Sequence, residues 1–402
     1  MANTIVLSAE QQISFRAHNI AKNEPNTLEQ SRRAVDSQDD EGKVNVTIPD
    51  MFALFLSGSP RVNPNYARVK AESEVWFAKK CQLDARWRRI LGKTDFSYFC
   101  AITAADAGPQ ELRTLCDWGN WVFPFDDLFD NGYLKENPVA AQKVIDVLLS
   151  DMGIRPENDI CERDRLPARE RALVDVHRTF LWPALGTNNW YTGVQQRFVT
   201  RMHDYCKGSM EQVKWRSQGR FPSIEDTLST RRKSAGVAPL YALAEYALKL
   251  DLPNAVFENE SIQEIERIGV DFVVIQNDIL SYCKEESEGI IHNLVAITRY
   301  HTESVYSQLA VPHPQMAFDN VGKLLSDLYR RWYLALARLP SWGERIDAGV
   351  QQYIGSVRAV VMANLNWSFR SERYFGRDVA EVRRTRVVRV LKRLPEARFN
   401  VQ

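Results

Sequence analysis

Apolar residues recur at three- and four-residue spacing from Ile48 to about Phe375, the period that turns one face of a helix toward a core. No convincing period-two series marks a strand. Breakers at Pro64, Gly108-Pro109, Gly153 with Pro156, Pro167, Gly219 to Pro222, Pro253, Pro312 to Pro314 and Pro340 to Gly343 divide the run into roughly ten to twelve helices. The expected fold class is all-α, a helical bundle. No Ser/Gly linker or composition shift splits it, so residues 46–376 read as one domain. Residues 1–45 are polar, with Gln11-Gln12, Arg32-Arg33 and Asp39-Asp40-Glu41, and read as a disordered leader. Residues 377–402 read as a basic flexible tail. Its stretch Arg383 to Arg393 interleaves basic and apolar residues; a solvated disordered tail is the preferred reading and an amphipathic helix on a membrane surface the competing one.

Composition narrows the function classes. A chain of 402 residues with 45% hydrophobic content can bury a large core, and a net charge of +1 argues against a nucleic-acid partner. The six cysteines are scattered without CxxC or zinc-like spacing, so reduced, mostly buried thiols are expected. No uninterrupted apolar run is long enough to span a bilayer, and Met1 to Asn26 lacks the apolar core of a secretory signal. The expectation is a cytoplasmic protein without stable membrane insertion.

Chemistry concentrates in four places. Asp126-Asp127-Leu128-Phe129-Asp130 puts Asp126 and Asp130 on one helical face, and Asn277, Ser281 and Glu285 recur at i, i+4 and i+8 on another. An acidic motif alone is most often a solvated helix face. The second motif is harder to dismiss, because it follows the apolar run Phe272 to Ile275 and a core helix gains nothing from burying such residues unpartnered. Carboxylate, amide and hydroxyl oxygens are hard ligands suited to Mg²⁺, which completes its shell with water and substrate phosphates. The third place is Arg231-Arg232-Lys233, ordinarily a solvated helix end but also a fork fitted to phosphate. The fourth is Trp367 to Tyr374, where Trp367 and Tyr374 share a helical face beside Arg373. Tryptophan offers a π-face to a cation, and arginine with tyrosine can donate to a leaving diphosphate.

In this order the motifs resemble those of the class I terpene synthases, in particular microbial and fungal sesquiterpene cyclases. DDLFD looks like the family's aspartate-rich motif, and Asn277-Asp278 through Lys284-Glu285 is similar to its NSE triad. Arg231 lies 46 residues before Asn277, the place of the diphosphate-sensing arginine, and Arg373-Tyr374 matches the C-terminal RY pair. The resemblance spans about residues 48 to 376. Within it, Val62 to Tyr66, Arg330 to Asp347 and Asn364 to Tyr374 look like the fungal cyclases of presilphiperfolanol type. Ser234-Ala235 departs from the family, which often carries Asp or Thr there.

The resemblance implies three Mg²⁺ ions held by Asp126 and the Asn277/Ser281/Glu285 set, with Asp127 and Asp130 in support. Arg231, Lys284, Arg373 and Tyr374 would bind the diphosphate and promote ionisation. The substrate implied is farnesyl diphosphate, and the product a polycyclic sesquiterpene hydrocarbon or, with water capture, an alcohol. Phe123, Val122 and Trp367 are the expected pocket walls; Tyr98, Phe99 and Trp121 are further aromatic candidates that ordinary core packing would also explain. The alternatives are a cyclase of C10 or C20 substrates, a prenyl diphosphate synthase, whose second aspartate-rich motif is missing here, and a non-catalytic helical binding protein, which should have lost a ligand. Monomer and homodimer both remain open.

Overall fold

The helical period is realised nearly throughout. The computed structural model describes residues 42–130, 132–154, 160–184, 192–306 and 313–394, so most of the expected leader lies outside the described residues. The principal helices are α1 (Tyr66–Lys80), α2 (Ala85–Thr94), α3 (Phe96–Thr103), α4 (Pro109–Asp130), α5 (Pro138–Ser150), α6 (Thr192–Ser217), α7 (Ile224–Ser234), α8 (Val237–Ala247), α9 (Glu260–Ser287), α10 (Leu294–Tyr306), α11 (Gln315–Ala337), α12 (Glu344–Ser368) and α13 (Val379–Thr385). The breakers act where expected. Pro109 opens α4, and Ser223, just after the Gly219 to Pro222 break, caps α7 by accepting from the Asp226 N–H at 3.0 Å.

Helix α9 is the axis of the bundle, packed against α11, α12 and α10; α12 lies on α3, and α3 on α4. The ring closes through α8, which touches both α4 and α9, and through α6 against α7 and α8. One contiguous apolar core runs from Val46 to Val390. Close approach at one crossing depends on glycine: a Cβ at Gly208 on α6 would meet the Ser234 backbone nitrogen of α7 at 2.7 Å. The missing side chain lets α7 seat deep enough to carry Arg231 inward.

Two expectations fail at the edges. Lys43–Thr47 and Val387–Leu391 form an antiparallel pair, β1 and β2, with Val46 opposite Val388 and Val44 opposite Val390. The domain therefore starts before residue 46 and continues past 376, through α13 and β2. The basic segment Arg383 to Arg393 is neither a flexible tail nor a membrane-lying helix over Val387–Leu391. Val388 and Val390 point inward, with Val390 fully buried, while Val387 and Arg389 face out, the alternation of a half-buried strand. The partner strand lies at the other end of the chain, where no local pattern reveals it.

Cys81, Cys100, Cys116, Cys206 and Cys283 are free thiols, as expected. Among the described residues no helix is long and apolar enough to cross a membrane.

Candidate active site

The ring of helices encloses a cavity whose floor is aromatic and whose rim is charged. Phe96, Phe99, Trp118, Val122, Phe123 and Trp367 line the floor, and Asp126, Asp127, Asp130, Arg231, Asn277, Lys284, Glu285, Arg373 and Tyr374 the rim. The two motifs thus meet over one cavity, α4 supplying the first and α9 the second.

Each acidic group of α4 has a distinct partner. Tyr205 donates its hydroxyl to Asp126 at 3.0 Å, Arg373 reaches Asp127 at 3.4 Å, and Arg216 donates to Asp130 at 3.0 Å and to the Phe129 carbonyl at 2.7 Å. Burial, with Asp130 and Asp127 nearby, pushes the Asp126 carboxyl well above the usual carboxylate range. Burial works against ionisation of Asp130 too, but Arg216 and Arg231 outweigh it and hold that carboxyl below its ordinary value.

Across the cavity one guanidinium nitrogen of Arg231 donates to Asn277 Oδ1 at 3.1 Å and to Asp278 Oδ1 at 2.9 Å. Burial disfavours the Arg231 charge, yet Asp278, Asp130, Glu285 and Asp126 together raise its pKa. Burial, joined by Asp278, raises the Glu285 carboxyl. Asn293 pins the motif from behind, donating to the Asp278 carbonyl at 2.8 Å, to Glu285 Oε2 at 2.9 Å and to Ser281 Oγ at 3.4 Å. Ser281 is consequently buried beneath Asn293, and Asn277 and Glu285 are the members of the triad that face the cavity. Lys284 lines the rim with its amine on Glu288 at 2.8 Å.

The donor set fits a divalent cation. Asp126 on α4 and Glu285 on α9 face one cavity, and burial first, then neighbouring carboxylates, disfavours their ionisation, a cost that a bound cation would offset; the Arg231 Nε–H, buried without a partner, is a donor left for an anion such as a phosphate. No three acidic, His or Cys side chains converge as a ready-made cage among the described residues.

The pocket aromatics separate. Trp367 is fully buried, its indole N–H on the Thr94 carbonyl at 2.6 Å, with Phe96 at 4.8 Å, Phe123 at 5.5 Å and Tyr374 edge-on at 5.9 Å between ring centres. Phe99 joins this wall. Tyr98 does not: it packs on Tyr66 beneath the Arg370 guanidinium. Trp121 is core, bonded to the Leu173 carbonyl at 2.8 Å and stacked on Phe125, because its position on α4 turns it away from the cavity that Val122 and Phe123 face. Sequence reasoning missed Phe96, Tyr205, Arg216, Asp278, Asn293 and Asn364, a buried cavity-lining amide that donates to Gln276 at 3.0 Å. Only Asp278 carried a signal, a carboxylate inside an apolar run.

Fold and site together define an all-α synthase bundle with two polar motifs facing across an aromatic cavity. The family model for terpene synthase family 2, C-terminal metal binding, matches residues 117–331, which include both acidic motifs and Arg231. Silphinene synthase of Penicillium patulum is 40% identical over 350 residues, covering 87% of this chain and 91% of its own. (+)-Eremophilene synthase of Gibberella fujikuroi is 36% identical, covering 82% and 88%. Among solved structures, hedycaryol synthase superposes with a TM-score of 0.62 at 21% identity, covering 80% of this chain and 98% of that one, a likeness of fold. The chain belongs to the terpene synthase family, enzymes acting as lyases on prenyl diphosphates.

Proposed function

We propose that the protein is a sesquiterpene cyclase that ionises farnesyl diphosphate with Mg²⁺ and closes the resulting cation into a polycyclic product. The observation that carries this reading is the convergence of Asp126, Asn277 and Glu285 with Arg231, Arg373 and Tyr374 on the rim of a cavity floored by Phe96, Phe123 and Trp367. The sequence relationship to silphinene and eremophilene synthases supports the C15 substrate.

Asp126, with Asn277, Ser281 and Glu285, would hold three Mg²⁺ ions, whose bound charge neutralises the departing diphosphate. Arg231, Lys284, Arg373 and Tyr374 orient that diphosphate and donate to its oxygens as charge develops. Asp127 and Asp130 hold Arg373 and Arg216 in place. The carbon–oxygen bond breaks at this rim, and the allylic cation folds against rings whose negative faces stabilise positive charge and offer no nucleophile. Ser281 is buried and does not line the cavity, so it would have to turn toward the cavity to join a metal's shell, while Asn293 holds both Ser281 and Glu285.

Purified protein is incubated with farnesyl diphosphate with and without Mg²⁺, beside C10 and C20 diphosphates, and a hexane overlay is read by gas chromatography and mass spectrometry. One dominant Mg²⁺-dependent C15 product is expected. Absence of volatile product at every chain length, with a longer diphosphate formed on adding isopentenyl diphosphate, would replace cyclisation with chain elongation.

A further inference from the structure

Below the charged rim, among the described residues, one amide lines the active-site cavity. Asn364 lies on α12 three residues before Trp367, one turn further back along the helix from the segment that carries Arg373 and Tyr374. It is buried and shares the cavity lining with Phe99, Leu240, Val273, Val274 and Trp367, none of which carries a charge.

The two polar atoms of this amide differ in their partners. Nδ2 donates to Gln276 Oε1 at 3.0 Å, while Oδ1 accepts no hydrogen bond among the described residues and is not sealed off from the cavity. Gln276 is fully buried on α9 directly before Asn277, and its own Nε2 has no partner. It therefore takes up the donor of Asn364 and leaves the oxygen for the cavity. An amide oxygen without a donor is unfavourable in an apolar floor. The same low dielectric strengthens its attraction for any positive charge that enters. Aromatic faces spread such a charge over a whole ring, whereas an amide oxygen marks one point.

We propose that the Asn364 carboxamide oxygen is a specificity-determining contact of the cyclising cation: a fixed dipole that holds positive charge against α12 and so selects which carbon bears it, with Gln276 as the positioning residue behind it. Diphosphate departs at the rim, so charge develops in the hydrocarbon below, at the level of Asn364. The inference rests on the prenyl diphosphate reading above.

The test compares a charged and an uncharged occupant of the floor in Asn364→Leu, which keeps the side-chain volume and removes the dipole. Calorimetry measures binding of a protonated cyclic tertiary amine of fifteen-carbon size, with Mg²⁺ and inorganic diphosphate present, and separately of the non-ionising thiolodiphosphate analogue of farnesyl diphosphate with Mg²⁺. The amine, whose N–H⁺ donates to Oδ1, should lose affinity by about tenfold, while the thiolodiphosphate, whose hydrocarbon carries no charge, changes less than about twofold. Equal losses for both, no loss for either, or tighter binding of the amine would overturn the assignment. Gln276→Met frees the amide to turn, so it should weaken the amine by about threefold with the same selectivity, and it keeps the test available if Asn364→Leu does not fold. Wild-type protein that fails to bind the thiolodiphosphate would remove the prenyl diphosphate reading, whereas wild-type binding without the selective losses removes the role of Asn364 alone.

Discussion

The Asn277 amide donates to the Tyr374 hydroxyl at 2.7 Å and accepts from Arg231 at 3.1 Å. One side chain of α9 therefore couples the guanidinium of α7 to the segment after α12. All three belong to motifs that are far apart in sequence, and their contact places them at one rim.

Asn277→Ala should lower kcat/KM by about a hundredfold or more, since it removes a proposed metal ligand and frees two diphosphate donors at once. Tyr374→Phe keeps the ring against Trp367 and loses one hydrogen bond to a charged group, about 1.5 kcal/mol at the low end, so a loss nearer tenfold is expected. Circular dichroism should show unchanged helix in both. Near-wild-type turnover of Asn277→Ala would remove that residue from the ligand set.

Asp278 has a different role from its neighbour. Its two oxygens are taken, one by Arg231 and the other by the Leu294 N–H at 2.7 Å where α10 begins. Asp278→Asn should destabilise the fold by about 2–3 kcal/mol, because a buried guanidinium loses its charged partner, and should lower kcat without changing the Mg²⁺ concentration needed for half-maximal rate. Glu285→Gln should raise that concentration. A raised Mg²⁺ requirement in Asp278→Asn would make Asp278 a ligand instead.

Much of this site was legible because its chemistry is local in sequence. Aspartates and the NSE spacing repeat with the helix, so Asp126, Asn277 and Glu285 announce a shared face before any packing is known. The partners that position them are not periodic. Tyr205, Arg216 and Asn293 look like ordinary helix residues until α6 and α10 are placed beside α4 and α9. The same limit explains the aromatics: helical spacing alone cannot tell Phe123, facing the cavity, from Trp121, facing Leu173. Strand β2 was invisible for a related reason, since five residues of alternation mean little without their partner.

Trp367→Phe should change the product mixture more than substrate consumption. The substitution keeps a ring beside Phe96 and Phe123 but loses the stronger π-face and the hydrogen bond to Thr94. Product ratios and total turnover from the same incubations decide; a uniform rate loss with an unchanged profile would make Trp367 a structural residue.

His177 supplies a pH test of the core. It is fully buried between Trp121 and Phe198, both ring nitrogens lack partners, and burial pushes its pKa down to about 3. The unfolded chain takes up a proton near the ordinary value of about 6.5 and the folded protein does not. The unfolded state therefore binds more protons between the two values, and stability is lost as pH falls below about 6.5, by up to about 1.4 kcal/mol per unit. His177→Phe removes this contribution, so its stability relative to wild type should rise as pH is lowered from 6.5 to 5 in urea titrations. A difference independent of pH would mean that His177 takes up its proton in the fold as readily as in the unfolded chain.

The C-terminal strand is tied to the end of α9. The Leu391 carbonyl accepts from Arg299 at 2.8 Å and its N–H donates to Glu286 at 2.9 Å, while Arg299 and Glu286 pair with each other in the interior at 2.9 Å. Glu286 directly follows the proposed ligand Glu285, so β2 supports the end of the second motif from outside the cavity. Truncation after Arg386 would leave the buried Arg299–Glu286 pair without two backbone partners, and Val390→Asp would put a charge at a fully buried position. Each should cost on the order of 3 kcal/mol or more and lower turnover through the shifted end of α9. Binding to anionic vesicles should be the same with and without the strand, because its apolar residues are spent on the core. If truncation leaves the melting temperature and turnover intact but abolishes vesicle binding, the segment serves a membrane surface after all.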